Sequence, residues 1–440
     1  MMMTRRNLGR EDGRFDVILR MTYGSISYNM RCWNLYLSRG IVLAMTRKRD
    51  ANIFSFIRER SAEVIAAPHL ERALAADRKL RVKLGVDPTT PYLHLGHVVP
   101  LRMLRTFQDS GHQAVLIIGD FTATIGDPSG RPAARSQLTL GETKANERTY
   151  LKQVSGILNL KKTEIRHNSE WHTKTKLADF LGLLARFSLK SAWERDDFQK
   201  RLAGGKPVQL NEAMYHVLQG YDSVMVRADV ELGGVDQRLN ILAGRELQPQ
   251  LGQPPQDIVL LPYLIGLDGS TKMSKSAGNT INLNDSASEM FGKVMSLSDR
   301  LIINYAELAA WLPHDAVEEF KERLKRENPR DVKLDLAESI TALYYNKAGA
   351  RAARTAFLNT FSKRDTTDSG IPVSIPSRRY TPLELIEALG TAASKSAMRR
   401  LIAGGAIDVD GHTIRPGDQD ITIHSGSLVR IGKKKFFRVQ

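Results

Sequence analysis

The sequence predicts an α/β protein whose main sheet is mostly parallel and Rossmann-like. Residues 79–84 alternate between apolar and polar side chains, as in a half-buried strand, and the proline turn of residues 87–91 follows. Apolar residues then recur at helical spacing until Gly111, and the apolar run 114–118 predicts a fully buried parallel strand. This strand–helix–strand order is the repeating unit of a doubly wound nucleotide-binding sheet.

The flanking segments predict the remaining elements of this sheet. Before the first strand, residues 51–76 place apolar side chains three and four residues apart, which predicts a helix. Residues 228–232 and 258–265 predict two more strands. Between the two halves of the sheet, a polar stretch at about residues 131–225 predicts a largely helical insertion.

The C-terminal third of the chain predicts three further segments. Residues 285–363 carry many charges of both signs and predict a helical domain. Residues 364–379 are rich in Thr, Ser, Gly and Pro and predict a linker. Residues 380–440 predict a small basic α+β unit with a hairpin turn at Asp410-Gly411. The nucleotide-binding domain is accordingly expected at residues 45–284.

Composition narrows the possible functional classes. The 440 residues include 64 Lys and Arg against 48 Asp and Glu, which gives a net charge of +16. Such an excess suggests a polyanionic partner such as nucleic acid, with a solubilising surface charge as the alternative. The single cysteine, Cys32, excludes an intramolecular disulfide and a cysteine zinc cluster, and it favours the reducing cytoplasm. No apolar run is long enough to span a membrane.

Residues 1–44 have no clear periodic pattern. They are arginine-rich, but the acidic residues Glu11, Asp12 and Asp16 argue against a transit peptide, and no apolar core predicts a secretory signal. We therefore expect either a disordered extension or a start codon placed too early, with Met45 as the true start.

The first candidate for chemistry is the segment Leu93-His94-Leu95-Gly96-His97, at the predicted start of a helix that follows the strand and the proline turn. A helix start offers unpaired N–H groups and a partial positive charge, which suit a phosphate. His94 and His97 could donate hydrogen bonds to phosphate oxygens, and Gly96 leaves room for a flat adenine. Taken alone, the two histidines could equally be incidental to the start of a helix.

The second candidate is Lys272-Met273-Ser274-Lys275-Ser276, which lies between Gly269 and Gly278. Glycines on both sides predict a mobile loop. Lys272 and Lys275 could move onto a triphosphate and neutralise the departing pyrophosphate. For an isolated pair of lysines, a solvated basic loop is the alternative.

The third candidate set is Tyr215, Gln219 and Asp222, whose spacing of four and three residues places them on one face of a helix. Side chains of these types could bind a ligand that has a phenol at one end and an ammonium group at the other. Asp222 could accept the phenol proton, while Tyr215 and Gln219 could bind the ammonium group. A solvated polar stripe is the alternative.

Together, the histidine and lysine segments, in this order, resemble the signature motifs of class I aminoacyl-tRNA synthetases. Residues 215–222 and the segment Gly233-Gly234-Val235-Asp236-Gln237 resemble the tyrosine-binding segments of tyrosyl-tRNA synthetases of bacterial type. Residues 85–89 and 126–130 share this resemblance, which covers nearly the whole chain from Lys79 to the C terminus.

The resemblance implies a role for each matching residue. The residues expected at ATP are Thr89, His94, Gly96, His97, Lys272, Ser274 and Lys275, with the two histidines and the two lysines as catalytic groups. The residues expected at tyrosine are Lys83, Asp87, Tyr215, Gln219, Asp222 and Gln237.

Two positions depart from the family pattern. Lys83 stands where many bacterial members have a tyrosine that helps to bind the phenol, and it resembles a distinct bacterial subgroup. The phenol contact would then rest more heavily on Asp222. Val235 replaces a small hydroxyl residue, and this loses a hydrogen bond behind the pocket.

The resemblance also implies substrates and partners. The expected activity is that of a tyrosine--tRNA ligase, which uses ATP with Mg²⁺, L-tyrosine and tRNA(Tyr), acts as a cytoplasmic homodimer, and has no protein-bound metal and no membrane contact. Residues 285–363 would bind the anticodon, and residues 380–440 would form an RNA-binding domain of the S-four type, with the basic stretch 433–438.

Three alternatives stay open at this point. The first is a tryptophanyl enzyme, which Asp222 and the C-terminal unit disfavour. The second is a related nucleotidyltransferase that does not use RNA, which the basic C-terminal unit disfavours. The third is a non-catalytic RNA-binding paralogue, which the intact histidines and loop lysines disfavour.

Overall fold

The computed structural model describes residues 52–129, 139–188, 195–361, 371–390, 395–415, 417–418, 421–432 and 435–440. The predictions for residues 1–44, including Cys32 and the proposed start at Met45, lie outside these residues. No helix in the described ranges combines the length and the apolar character that a membrane span requires.

The first part of the described chain alternates helices and strands. Its elements are α1 (Asn52–Arg60), β1 (Glu63–Ile65), α2 (Ala67–Ala75), β2 (Arg81–Val86), α3 (Leu95–Asp109), β3 (Gln113–Ile118), α4 (Leu140–Val154), β4 (Thr163–His167), α5 (Ser169–His172), α6 (Leu177–Leu184), α7 (Asp196–Ala203), α8 (Leu210–Met225), β5 (Val230–Gly234), α9 (Arg238–Gln250) and β6 (Asp257–Leu261). Short 3₁₀ turns lie at Thr122–Thr124, Leu160–Lys162 and Val235–Gln237.

The main sheet has the strand order β1-β6-β5-β2-β3-β4. The five strands from β6 to β4 are parallel, and only β1 runs antiparallel, against β6. The chain passes from β2 outwards to β3 and β4, and then returns to β5 on the other side of β2. The predicted Rossmann-like α/β class is confirmed. Such a reversal opens a crevice at the carboxyl ends of the strands, where ligands bind in this class of fold.

Two predicted elements have different bounds in the structure. The single helix over residues 51–76 is wrong, because strand β1 separates α1 from α2. β-Branched Val64 and Ile65 pair with β6, Ala66 takes a left-handed conformation at φ 64°, and Pro68 then favours a new helix start. Strand β6 ends at Leu261 rather than at residue 265, because Pro262 has no N–H to donate to a neighbouring strand.

The stretch predicted as a helical insertion also contributes a strand to the sheet. Helices α4 to α8 account for most of it, but β4 pairs in parallel with β3 at the edge of the main sheet. The sequence of β4, TEIRH, has little apolar character, and all five of its residues are only partly buried. An edge strand of this composition gives no hydrophobic pattern, which is why the sequence did not predict it.

The next part of the chain is helical, as its composition predicts. Its elements are α10 (Ala287–Met295), α11 (Ile302–Leu308), α12 (His314–Leu324) and α13 (Pro329–Phe361), with a 3₁₀ turn at Asp299–Leu301. Helix α13 is interrupted at Asn346, where φ is 56°. Buried residues such as Phe291, Tyr305 and Ile340 join the same hydrophobic core as the buried residues of the sheet.

The C-terminal residues build a second, smaller core. Their elements are β7 (Ile371–Val373), β8 (Arg379–Tyr380), α14 (Pro382–Ala388), α15 (Lys395–Ala403), β9 (Ile407–Val409), β10 (His412–Thr413), β11 (Ile421–Thr422), β12 (Leu428–Ile431) and β13 (Lys435–Val439). Five strands form a sheet in the order β10-β9-β12-β13-β7. Asp410 and Gly411 join β9 to β10 with φ values of 50° and 90°, so the predicted hairpin turn is confirmed.

The small sheet begins earlier in the chain than the composition suggests. Strand β7 lies within residues 364–379, which were predicted to be a linker, and it pairs in parallel with β13. Pro372 is tolerated there because β7 is at the edge of the sheet, where one side of the strand makes no ladder hydrogen bonds. The proline and its polar surroundings therefore predict a linker, although the segment Ile371–Val373 forms a strand.

Candidate active site

The histidine segment and the lysine loop meet at the start of α3. The backbone N–H of Leu95 donates to the carbonyl of Ile281 at 2.9 Å, and the N–H of Leu283 donates to the carbonyl of Leu93 at 2.9 Å. Residues 281–283, which follow the lysine loop, are therefore joined to the histidine segment by backbone hydrogen bonds. The structure brings the two motifs to one place, as the sequence predicts.

Met273 fixes the loop itself against this segment. Its side chain is 1% exposed and belongs to the same hydrophobic core as Leu93 and Leu95. A Cβ atom built on Gly96 would lie 3.6 Å from the Cβ of Met273 and 3.1 Å from two ring atoms of His94. Gly96 therefore allows the loop and the His94 ring to approach the first turn of the helix closely.

The two histidines form a stacked pair. Their ring centroids are 3.7 Å apart with an interplanar angle of 23°, and the backbone N–H of His94 donates to Nδ1 of His97 at 3.3 Å. Burial lowers the pKa of His94 to about 4, and the charges of Lys275 and Lys272 contribute. Its imidazole is therefore neutral at pH 7. Its Nδ1 atom is buried, and no hydrogen bond reaches it from the described residues.

The two loop lysines contact different groups at this cleft. Lys272 Nζ forms an ion pair with Oδ2 of Asp236 at 2.6 Å and lies 4.5 Å from the centre of the Tyr263 ring. Lys275 Nζ lies 5.6 Å from the centre of the Tyr92 ring, which is 46% exposed. A cavity of about 260 Å³ is lined by Tyr92, Lys275, Thr280, Asn282 and Asn284.

Asn279 holds the lysine loop in shape, and the sequence did not single it out. Its Oδ1 accepts the backbone N–H of Ser274 at 2.8 Å, and its Nδ2 donates to Oδ2 of Asp268 at 2.7 Å. A Cβ atom on Gly266 would lie 2.1 Å from the Asn279 amide nitrogen. The only sequence signal was the glycine-flanked segment itself, since none of these contacts can be inferred from residue spacing.

Tyr215, one of the candidates on α8, is joined by a hydrogen bond to Asp87, the residue that directly follows β2. Oη of Tyr215 donates to Oδ2 of Asp87 at 2.8 Å, and Oγ1 of Thr122 donates to Oδ1 of the same carboxyl at 2.8 Å. Nδ2 of Asn168 donates to Thr122 at 2.9 Å and lies 3.3 Å from Oδ2 of Asp222. A continuous network therefore connects two of the predicted tyrosine-binding carboxyls.

Asp222 is held by donors from α5, a short helix that the sequence did not reveal. Its Oδ1 accepts from Nε1 of Trp171 and Nε2 of His172, both at 2.8 Å. Among the residues that the structure describes, only Asn168 contacts its Oδ2, at the longer distance of 3.3 Å. A carboxylate accepts about four hydrogen bonds, so Oδ2 retains acceptor capacity for a phenol.

Asp87 and Asp127 form a pair of neighbouring carboxyls, and Asp127 was absent from the predicted site residues. Burial raises the pKa of Asp87 to about 7, with a further contribution from the charge of Asp127. Asp127 accepts hydrogen bonds from Nε2 of Gln237 at 2.7 Å and from the backbone N–H of Ser129 at 3.0 Å. Nδ2 of Asn240 lies 3.4 Å from Oδ1 of Asp127, the oxygen that accepts from Ser129. Two adjacent carboxyls in one pocket favour a cationic ligand.

Lys83 belongs to a buried ion pair with Glu231. Its side chain is fully buried, and its ammonium group contacts Glu231 Oε1 at 2.9 Å, Ser223 Oγ at 2.7 Å and the carbonyl of Gln219 at 3.1 Å. An ammonium group has three N–H donors, and all three are used within the protein. The expected contact between Lys83 and tyrosine stays a prediction, and in this geometry the three N–H donors of Lys83 are directed to protein groups.

Thr89 and Val235 are two further positions that the sequence analysis assigns to the site or its surroundings. The N–H of Thr89 donates to the carbonyl of Asp87 at 2.7 Å, so Thr89 turns the chain directly after the Asp87 carboxyl. Val235 is partly buried and packs against the apolar side chains of Ile241 and Ile258. A hydroxyl group at this position would face apolar neighbours, so valine suits the site.

A family model described as tRNA synthetases class I (W and Y) matches residues 75–362. The chain is 43% identical over 385 residues to the tyrosine--tRNA ligase of Thermotoga maritima, an alignment that covers 87% of this chain and 96% of the relative. It is 41% identical over 395 residues to the tyrosine--tRNA ligase of Dehalococcoides mccartyi strain CBDB1, covering 88% and 98%. The chain belongs to the tyrosyl-tRNA synthetases.

Solved structures support the fold of this tyrosyl-tRNA synthetase. A C-terminally truncated mitochondrial tyrosyl-tRNA synthetase of Aspergillus nidulans superposes with a TM-score of 0.58 at 22% identity, covering 70% of this chain and 94% of that one. The tyrosyl-tRNA synthetase of Archaeoglobus fulgidus, complexed with L-tyrosine, gives a TM-score of 0.56 at 21% identity, covering 69% and 100%. At these identities the likeness concerns the fold.

Membership of this family makes the chain a class I aminoacyl-tRNA synthetase and a ligase. The similar curated relatives are tyrosine--tRNA ligases, which supports the tyrosyl interpretation over the tryptophanyl alternative. In this tyrosyl-tRNA synthetase, the site residues that the sequence does not reveal share one property. Asn168, Trp171 and Asp127 act through partners that are distant in the sequence, so only the folded chain reveals them.

Proposed function

We propose that this tyrosyl-tRNA synthetase activates L-tyrosine with ATP in the cleft between α3, α8 and the lysine loop, and then transfers the tyrosyl group to the 3′ end of tRNA(Tyr). The observation that carries the proposal is the convergence of the two motifs. Met273 of the loop lies against Gly96 of the histidine segment, and the charges of both loop lysines reach His94. One triphosphate can therefore contact both segments.

Adenylate formation in this cleft needs charge stabilisation rather than an enzyme base. The carboxylate of tyrosine attacks the α-phosphorus of ATP, a new O–P bond forms, and pyrophosphate leaves with the electron pair of the broken P–O bond. His94 and His97 would donate hydrogen bonds to phosphate oxygens, while Lys272 and Lys275 would neutralise the pyrophosphate. Gly96, Thr89 and Ser274 would shape the nucleotide site.

Magnesium would enter this site as part of the substrate. Within the described ranges, no group of three or more His, Cys, Asp or Glu side chains is arranged to hold a metal ion. Mg²⁺ keeps most of its water ligands and binds well to phosphate oxygens, so MgATP needs no dedicated cluster on the protein. The ion would add positive charge near the pyrophosphate.

The tyrosine would be held at its two polar ends. The carboxyls of Asp87 and Asp127 provide negative charge for the ammonium group, with Tyr215, Gln219 and Gln237 beside them. The phenol would donate to Oδ2 of Asp222, because Trp171 and His172 both donate to the other oxygen, Oδ1. Phenylalanine has no hydroxyl group and would leave Oδ2 without this donor.

Transfer to RNA would follow in the same cleft. A ribose hydroxyl at the 3′ end of the tRNA attacks the carbonyl carbon of the adenylate, and an ester bond forms. The bond between that carbon and the phosphate oxygen breaks, and AMP leaves with the electron pair while the hydroxyl proton passes to a phosphate oxygen or to water. In this proposal residues 45–284 form the catalytic domain with its insertion, residues 285–363 bind the anticodon, and residues 380–440 bind RNA. The net charge of +16 supports a polyanionic partner.

The proposal includes a homodimer in the cytoplasm. Leu177, Leu181 and Leu210 are exposed by 73%, 55% and 68%, and large aliphatic side chains in contact with water favour association. A mostly apolar cavity of about 390 Å³ lies among Leu177, Phe180 and Met214. In the variant Leu177→Asp, the sedimentation coefficient should shift towards that of a monomer. A variant that sediments as the same dimer as the wild type would show that this surface is not the dimer interface.

The experiment that tests the proposed function is ATP–pyrophosphate exchange with each of the twenty amino acids, followed by aminoacylation of tRNA(Tyr). We expect exchange with tyrosine alone and transfer to that tRNA. Exchange with tryptophan would favour the tryptophanyl alternative. Exchange without transfer would indicate a nucleotidyltransferase that does not use RNA, and the absence of both reactions would indicate a non-catalytic paralogue.

A further inference from the structure

Beneath α8 lies a buried ion pair for which the proposed reaction has no use. Lys83 of β2 and Glu231 of β5 are partners in the register of adjacent parallel strands, so both side chains point to the same face of the sheet. They are 0% and 1% exposed, and Lys83 Nζ lies 2.9 Å from Glu231 Oε1.

Every polar group of this pair is satisfied by a neighbour. Glu231 Oε1 accepts from Lys83 and from Nε2 of Gln219 at 3.3 Å, while Oε2 accepts from Ser223 Oγ at 2.8 Å and from Nε2 of Gln256 at 2.5 Å. Lys83 also donates to Ser223 Oγ and to the carbonyl of Gln219. The pair is therefore attached to α8 at Gln219 and at Ser223.

These two attachment points belong to the turn of α8 that faces the tyrosine pocket. Gln219 is a proposed ligand of the tyrosine ammonium group, and Ser223 directly follows Asp222, the proposed acceptor of the phenol. A buried ion pair is a costly way to hold a helix, because apolar residues of the same volume often stabilise a protein equally well. A carboxylate, however, does something that apolar residues cannot do.

An ionised carboxylate only accepts hydrogen bonds, so it determines which end of a neighbouring amide faces it. Glu231 therefore draws the NH₂ group of Gln219 towards itself, and the carbonyl oxygen of the same amide is left on the opposite side. That oxygen is the atom that can accept a hydrogen bond from an ammonium group. A reversed amide would present its NH₂ donors to the ammonium group instead.

We propose that Lys83 and Glu231 are positioning residues for tyrosine: their ion pair fixes the Gln219 amide with its oxygen directed to the substrate ammonium group. Lys83 places its ammonium group against Glu231 and anchors the backbone carbonyl of Gln219, so the amide and its helix are fixed together. This inference rests on the proposed function and deepens it. It assigns Lys83 an indirect role in place of the direct contact with tyrosine.

The test replaces the whole pair with apolar residues in the variant Lys83→Met/Glu231→Leu. No partner is then left as an uncompensated buried charge, so we expect the chain to fold with a melting temperature close to that of the wild type. The KM for tyrosine in pyrophosphate exchange should rise about tenfold or more, because one hydrogen bond to a charged group is lost. The KM for ATP should not change.

A matched control is a second buried ion pair that involves α8, between Arg201 and Glu212, which are 3% and 5% exposed. Arg201→Met/Glu212→Leu makes the same chemical change at the far end of the helix and should leave the KM for tyrosine unaltered. The variant Glu231→Asp retains the charge but withdraws the carboxylate by one methylene. Glu231→Asp should raise the KM for tyrosine several-fold. This variant keeps the proposal testable if Lys83→Met/Glu231→Leu does not fold.

A double-mutant cycle shows whether the effect passes through Gln219. When Gln219→Ala is already present, the further change Lys83→Met/Glu231→Leu should raise the KM for tyrosine by no more than about twofold. Full multiplication of the two effects would overturn the proposal, as would an unchanged KM in the folded apolar variant. A wild-type enzyme without tyrosine-dependent exchange would overturn the proposed function itself, whereas an active wild type with unaltered variants would overturn only the positioning role.

Discussion

Met273 packs against Gly96, so that a Cβ atom on the glycine would lie 3.6 Å from the Cβ of the methionine. This contact joins two segments that are far apart in the chain. The histidine segment provides hydrogen-bond donors at the start of α3, and the loop provides two cations close to them. The activity that we propose depends on this proximity.

The variant Gly96→Ala tests how tightly the two segments fit. Its methyl group would lie 3.1 Å from two ring atoms of His94, so the ring must move by a few tenths of an ångström. Alanine favours a helix more than glycine does, by about 0.5–1 kcal/mol, so stability should be retained. We expect slower adenylate formation with an unchanged melting temperature. Wild-type exchange rates would show that the His94 ring position is unimportant.

The variant Lys275→Ala tests the charge of the loop. Because Lys275 would neutralise the departing pyrophosphate, kcat for exchange should fall on the order of 100-fold, with little change in thermal stability. Lys325→Ala is the matched control, since Lys325 is 68% exposed on α12. An exchange rate equal to that of the control would contradict the role of the loop.

The variant Asp222→Asn tests the phenol contact. The Asn oxygen should stay with the donors Trp171 and His172, which places the NH₂ group where Oδ2 was. The phenol then meets a donor instead of an acceptor. We expect the ratio of kcat/KM for tyrosine over phenylalanine to fall at least about tenfold. An unaltered ratio would mean that the phenol binds elsewhere.

The raised pKa of Asp87 predicts a pH dependence of tyrosine binding. Burial and the charge of Asp127 raise this pKa to about 7, so below pH 7 the free enzyme holds a proton there. The substrate ammonium group favours the carboxylate and should expel that proton. Affinity should therefore increase from pH 6 to pH 8. Calorimetry in buffers of different ionisation enthalpy should detect proton release near pH 7.

The variant Asp87→Asn provides the control for this titration. It removes the ionisable group and keeps the shape of the side chain, so the pH dependence between 6 and 8 should disappear and tyrosine should bind more weakly. A variant that retains the wild-type pH profile would show that another group titrates.

The sequence predicted the parallel sheet and the meeting of the two motifs because both depend on local patterns. Apolar runs such as 114–118 define strands, and the histidine and lysine segments are short and distinctive. The spacing of Tyr215 and Asp222 also sufficed to place them on one helix.

The rest depended on contacts between distant residues. Asn168 and Trp171 reach Asp222 only because the weakly apolar strand β4 joins the sheet and is followed by α5. The sequence does not indicate that Glu231 lies beside Lys83, because this pairing depends on the register of β2 and β5. The expected contact between Lys83 and tyrosine therefore stays a prediction, and the strand register adds the partner Glu231, which the sequence did not indicate.

The most direct measurement is a crystal structure of this enzyme with an unreactive ATP analogue. We predict that the phosphates contact His94 or His97 on one side and Lys272 or Lys275 on the other. A nucleotide that touches only one of the two segments, or that binds in another cleft, would contradict the claim that they act on a single triphosphate.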